Sequence, residues 1–248
     1  MENVKSSETP ELTGLISKYS PYLFEIRKRV FFTLIVFAAA TIFGFVFYEK
    51  IIKFMINLLQ LEGINIVFTS PFQFINLAIS CGIASGVVLT FPLLIYQIFS
   101  FLRPALREKE FKMLTGFLPF SIILFLLGFS FGFLTMKWQI QLFLTKSVSL
   151  GIGNVLDISR LISTVIAVSV LMGLAFQFPI IILFLLRIGI IKHNQLSKTR
   201  MWVYLGSFIF AILLPADSIL ADVLLSLPLI VLFELTLILN RILERKTA

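Results

Sequence analysis

The chain has 248 residues, 58% of them hydrophobic, with a formal charge of +8 and 28 Phe against one His and one Cys. A soluble domain holds about half apolar residues or fewer, so an ordinary water-soluble fold is excluded. The lone Cys81 rules out a disulfide within the chain, Cys/His metal clusters lack ligands, and the bases sit in gaps between apolar runs instead of forming a nucleic-acid footprint.

Residues 1–20 are polar and read as loosely structured, with a short amphipathic turn at 12–19. They carry no apolar core followed by a small-residue cleavage site, so the first span is expected to insert uncleaved. That span covers about 30–48 and follows Pro21-Tyr22-Leu23-Phe24-Glu25-Ile26-Arg27-Lys28-Arg29. A mixed segment, 49–74, then holds an amphipathic helix over 50–59 and an extended piece over 64–68, ending at Ser70-Pro71. The second span is about 75–101, with Pro92 inside it, and the third is about 113–136. A second polar segment occupies 137–160, and Gly173, Gln177 and Pro179 interrupt a fourth span at 161–186. The fifth and sixth spans, 201–214 and 223–239, are separated only by the turn from Pro215 to Asp222. The predicted fold is therefore an all-α integral membrane protein: a segment 1–29, a six-span domain 30–239 and a tail 240–248.

Six spans put both termini on one side of the membrane. Of the 21 Lys and Arg residues, 16 fall on that side and five on the other, which predicts cytoplasmic termini. The last two spans, of 14 and 17 residues, reach about 21 and 26 Å at 1.5 Å per residue, short of a hydrocarbon core of about 30 Å. That shortness predicts locally thinned bilayer around them.

Several polar residues need an account. Glu108 and Glu110 sit among Arg103, Arg107, Lys109 and Lys112 in the loop after the second span, where orientation requires only the bases. They either neutralise neighbours or receive a basic partner. Glu234 lies in apolar sequence, where a carboxylate costs about 2.5–3.5 kcal/mol at a helix centre. It either bonds to a neighbouring helix or meets a partner. Gln177 needs only a hydrogen-bond partner, and Asp217 and Asp222 flank a turn where helix capping accounts for them.

The motifs resemble those of one family, TatC, the polytopic subunit of the twin-arginine protein translocase. Residues 22–29 resemble its H-L-x-E-L-R-x-R motif, with Tyr22 in place of His. Ser70-Pro71 resembles S-P-x-E-x-F with Gln73 in place of the acid, and Pro92 to Gln97, Phe101, Pro104-Ala105-Leu106 and Glu110 match the first cytoplasmic loop. Residues 173–179 resemble G-x-x-F-E-x-P with Gln177 in place of Glu, while Leu214 to Asp217 and Pro228 to Glu234 resemble L-T-P-P-D and I-P-x-x-x-x-[FY]-E.

The resemblance implies a non-enzymatic inner-membrane protein, or its organellar equivalent, that needs no cofactor or metal. It implies recognition of twin-arginine signal peptides, with Glu25, Arg27, Phe101 and Glu110 as the binding residues. It also implies assembly with TatA- and TatB-like single-span subunits, homo-oligomers within the complex, and export of folded proteins driven by the proton-motive force. Gln177, Asp217, Asp222 and Glu234 form the expected partner-binding polar group. Neither Gln73 nor Gln177 titrates, so no proton path runs through them. A small-solute secondary transporter is the rival reading, but the chain lacks an inverted repeat and holds few polar groups at mid-depth.

Overall fold

The computed structural model describes residues 9–61, 65–103, 106–151, 155–188, 199–216 and 218–247. Among these residues the elements in chain order are α1 (Thr9–Val46), α2 (Tyr48–Leu59), β1 (Asn65–Val67), α3 (Gln73–Leu102), α4 (Glu108–Ser149), β2 (Val155–Asp157), α5 (Ile158–Ala175), α6 (Phe178–Arg187), α7 (Arg200–Leu213) and α8 (Ile219–Thr247). Five stretches are long and apolar enough to cross a bilayer: Ile26–Val46, Gln73–Leu102, Leu114–Ser149, Ile158–Leu186 and Ile219–Ile238. Arg200–Leu213 is a shorter apolar helix. In lipid every backbone amide must be satisfied within the chain, which is why the apolar stretches are helical.

Helices α1, α4 and α7 start, and α3, α6 and α8 finish, at the end of the bundle marked by Thr9 and Thr247, here the terminal end. The opposite end is the distal end.

The elements depart from the sequence reading in three places. The segment expected to be loose is part of α1 from Thr9 onward. Helix α4 continues through the expected polar segment to Ser149, because no glycine or proline intervenes from Leu134 to Leu150. It stops where Gly151 adopts φ +69°, a left-handed conformation that glycine takes without a Cβ penalty. The apolar part of α8 has 20 residues, or about 30 Å at 1.5 Å per residue, so only α7 is short. The extended piece expected over 64–68 contains β1, which pairs in parallel with β2, Asn65 opposite Val155 and Val67 opposite Asp157.

This small sheet is locked at the distal end by one carboxylate. Thr69 Oγ1 donates to Asp157 Oδ2 at 2.6 Å, and Gln73 Nε2 donates to the same oxygen at 2.7 Å. Gln73 Oε1 accepts from the Thr69 N–H at 2.8 Å, and Asp157 Oδ1 accepts from the Arg160 N–H at 3.1 Å, capping α5. Partial burial alone would raise the Asp157 pKa, but the bonds from Thr69, the Arg160 N–H, Gln73 and the Ser159 N–H outweigh it and hold the carboxyl below its usual range. Gln73 is thus the anchor between α3 and α5.

Glycines set the helix spacing. Gly82 and Gly86 of α3 face α1, where a Cβ on Gly82 would stand 3.0 Å from the Thr41 carbonyl oxygen and one on Gly86 would meet Thr41 Oγ1 and lie 2.9 Å from the Phe37 ring. Gly128 and Gly132 of α4 face α5 in the same four-residue spacing. A Cβ on Gly128 would come within 2.6 Å of the Met172 carbonyl oxygen, and one on Gly132 within 3.0 Å of Ser169 Cα. Small residues at this spacing let backbones approach where lipid supplies no hydrophobic drive between helices. The core lies among α3, α4 and α5, with Phe91 stacked on Phe125 at 4.0 Å between ring centroids and Ile162, Val165, Val168 and Met172 fully buried. Helix α1 packs chiefly on α3 and exposes Phe31, Leu34, Ile35, Ile42 and Val46.

Candidate functional site

A groove of about 570 Å³ opens between α1 and α3 at the terminal end. Ile26, Val30, Thr33 and Leu34 of α1 and Leu94, Ile98, Phe101 and Leu102 of α3 make its walls almost wholly apolar. One polar link crosses it: an Arg29 guanidinium N–H donates to Gln97 Oε1 at 3.4 Å. This pair is the part of the site that sequence reading missed. The signal was available, because Arg29 lies one turn beyond Glu25 on the same face and Gln97 ends the Pro92-to-Gln97 motif.

Of the four residues expected to bind a signal peptide, Phe101 lines this groove and is partly exposed. Arg27 is exposed on α1. Glu25 lies in α1 between the exposed Phe24 and the groove residue Ile26, and Glu110 lies in the first turn of α4. The side chains of Glu25 and Glu110 lie outside the described residues. The Phe111 N–H donates to the Arg107 carbonyl at 2.9 Å and opens α4, while the Leu106 N–H donates to the Arg103 carbonyl at 3.3 Å and the Arg103 guanidinium lies 5.4 Å from the Phe111 ring centroid. An acid in a helix's first turn is favoured by the positive end of the helix dipole.

Three of the four intramembrane polar residues lie among the described residues, and Gln177 and Glu234 bond to different neighbours. Gln177 is buried at the break between α5 and α6. Its own N–H bonds to the Leu174 carbonyl at 3.0 Å instead of continuing the ladder to Gly173. Its side-chain amide therefore donates to the Gly173 oxygen at 3.4 Å and to the Ser121 carbonyl at 3.2 Å, while Oε1 accepts from Ser121 Oγ at 2.5 Å. Both ends of the amide are occupied inside the bundle.

Glu234 sits midway along α8, accepting from the Tyr204 hydroxyl and lying 3.5 Å from the Arg200 guanidinium. It joins α7 to α8, the interhelical alternative. Asp222 is half-buried in the first turn of α8 at the distal end, and Asp217 lies outside the described residues. The cap at that turn is Ser218, whose Oγ accepts from the Ala221 N–H at 3.3 Å.

Residues 21–228 match the model of the family described as Sec-independent protein translocase protein (TatC). The chain is 30% identical over 232 residues to the Sec-independent protein translocase protein TatCy of Bacillus subtilis (strain 168), covering 91% of this chain and 89% of that protein. It is 26% identical over 224 residues to TatC of Escherichia coli (strain K12), covering 89% and 86%. A crystal structure of a twin-arginine translocase receptor, TatC, in DDM superposes with a TM-score of 0.78 at 26% identity, covering 88% of this chain and 98% of that one. A multi-pass helical bundle with these matches along nearly its whole length is a component of a protein translocase of the inner membrane, not an enzyme or a solute carrier. The chain belongs to the TatC family of Sec-independent protein translocase proteins.

Proposed function

We propose that the chain recognises twin-arginine signal peptides at the terminal end, which faces the cytoplasm in a six-pass arrangement, and that it nucleates export of folded proteins driven by the proton-motive force. The observation that carries this reading is the apolar groove beside Phe101, whose α1 wall belongs to the helix bearing Glu25, while Glu110 lies in the first turn of α4, the next helix after the groove's α3 wall. A signal peptide has a cationic end and an apolar stretch. The groove suits the apolar stretch, and the two acids suit the guanidinium pair through charge-assisted, bidentate bonds. The basic bias of the terminal end supports its cytoplasmic side, with 16 of 21 Lys and Arg there.

A twin-arginine peptide carrying a photoreactive group just after its arginine pair tests recognition and orientation together. In inside-out vesicles it should crosslink to the peptides containing Ile26 and Phe101, and in right-side-out vesicles it should not. Equal labelling from both sides, or labelling confined to the distal end, contradicts the reading.

The same proposal includes small single-span partners of the TatA and TatB kind. Helix α7 supports this, because it exposes Met201, Trp202, Leu205 and Ile209, a Cβ on Gly206 would meet nothing within 4 Å, and Glu234 tethers this helix to α8. Glu234→Leu should therefore cut co-purification of a single-span partner several-fold while Gln177→Leu leaves it unchanged. Unchanged recovery with Glu234→Leu would make that carboxylate purely structural.

A further inference from the structure

A second cavity, of about 600 Å³, opens at the distal end between the last turns of α4, the start of α5 and the α7–α8 turn. Its walls are mostly apolar, with Met136, Ile140, Phe143 and Leu161 among them, and two basic residues, Lys146 and Arg160, line it as well. Both are exposed. Asp157 also borders the cavity, but its carboxylate is already taken by Thr69, Gln73 and the Arg160 N–H. Gln139 supplies a third feature. Its Nε2 donates to the Ala216 carbonyl at 2.8 Å, while its Oε1 is buried and accepts no hydrogen bond among the described residues. Leaving a buried acceptor this way is unfavourable, so a donor is wanted there. The neighbouring Trp138 is exposed, as aromatic side chains are at the head-group level of a bilayer.

We propose that this cavity binds an anionic phospholipid of the phosphatidylglycerol type. The phosphate lies against Lys146 and Arg160, a glycerol hydroxyl donates to Gln139 Oε1, and the acyl chains run along the apolar walls. A free phosphate would use the cations but leave those walls wet. A phosphatidylcholine head group carries no hydrogen-bond donor and adds a third positive charge beside the two bases.

The test uses the full-length purified protein, exposed in turn to phosphatidylglycerol, phosphatidylcholine and water-soluble glycerol phosphate, with bound molecules counted by native mass spectrometry. Phosphatidylglycerol should be retained at least tenfold better than either alternative, and its retention should fall as salt is raised. The double variant Lys146→Gln/Arg160→Gln should lose that preference, whereas Lys50→Gln/Lys53→Gln, which removes two bases elsewhere at the same end, should keep it. A photoreactive acyl chain on phosphatidylglycerol should label the peptide spanning Met136 to Phe143 in the unsubstituted protein, a readout that needs no variant to fold. Equal retention of the two lipids, equal binding of glycerol phosphate, equal loss in both double variants, or labelling elsewhere would overturn the proposal.

Discussion

Gly128→Leu is expected to lower the melting temperature of the purified protein by several degrees, while Gly116→Ala and Gly206→Ala leave it unchanged or raise it. The contrast follows from what each added Cβ meets. At Gly128 it would come within 2.6 Å of both the Met172 carbonyl oxygen and the Phe176 ring, so α4 and α5 must separate. At Gly116 and Gly206 it would meet nothing within 4 Å. Overpacking a well-packed contact costs about 1–3 kcal/mol, and a chain of this size shifts by about 2–4 °C per kcal/mol. Glycine in a helix interior costs about 0.5–1 kcal/mol relative to alanine, which gives the two control positions the opposite sign. A thermal series on the three variants decides it, and equal melting temperatures would mean that the α4–α5 seam does not depend on the close approach.

The second large effect is expected at the distal sheet. Gln73→Glu replaces the amide that donates to Asp157 Oδ2 at 2.7 Å with a second carboxylate. Two ionised carboxylates at that spacing repel, so the variant should be less stable than the parent by about 1–3 kcal/mol at neutral pH. The pH dependences then run in opposite directions. In the parent, the Asp157 pKa is lowered from 3.8, so its contribution is present above that value and is lost as pH falls through the folded-state pKa. In the variant, the new carboxyl's folded-state pKa lies above its unfolded value of about 4.3. The folded variant therefore binds the extra proton, its stability rises as pH falls through that raised pKa, and a protonated Glu donates to Asp157 in place of the amide. Melting temperatures from pH 4 to 8 should show the gap between variant and parent closing toward acid. A constant gap would remove the Asp157 contact as its cause.

These two positions mark where the sequence was legible and where it was not. The apolar stretches, the proline-interrupted helices and the break at Gln177 follow from composition and local chemistry, since a bilayer allows little other than a helix. The four-residue glycine spacings at Gly82 and Gly86 and at Gly128 and Gly132 are visible as letters. Which helices they join is a tertiary fact that no single sequence states. The pairing of β1 with β2 was hidden for a similar reason. Each strand has only three residues, too few to show a periodicity, and two long helices separate Val67 from its partner Asp157 in the chain.

The candidate site divides in the same way. The groove residues Ile26 and Phe101 lie in motifs that stood out by charge and proline pattern. Which neighbour each intramembrane polar residue meets is a tertiary fact that the sequence does not give. Gln177 is bonded to Ser121 and Gly173 inside the bundle, whereas Glu234 belongs to the α7–α8 pair, midway along α8.

The central claim is that Glu25 and Glu110 together hold the arginine pair of a signal peptide. A surface ion pair is worth about 0–1 kcal/mol and would not separate arginine from lysine. A charge-assisted hydrogen bond in a sheltered groove is worth about 1.5–3 kcal/mol, or roughly tenfold or more in affinity. The most direct measurement is the dissociation constant of a peptide with Arg-Arg and of the same peptide with Lys-Lys, for the parent chain, for Glu25→Gln/Glu110→Gln and for Glu108→Gln. The account predicts at least tenfold preference for Arg-Arg in the parent and in Glu108→Gln, and its loss in Glu25→Gln/Glu110→Gln. Equal affinity for the two peptides in the parent, or an unchanged preference in the double variant, would contradict it.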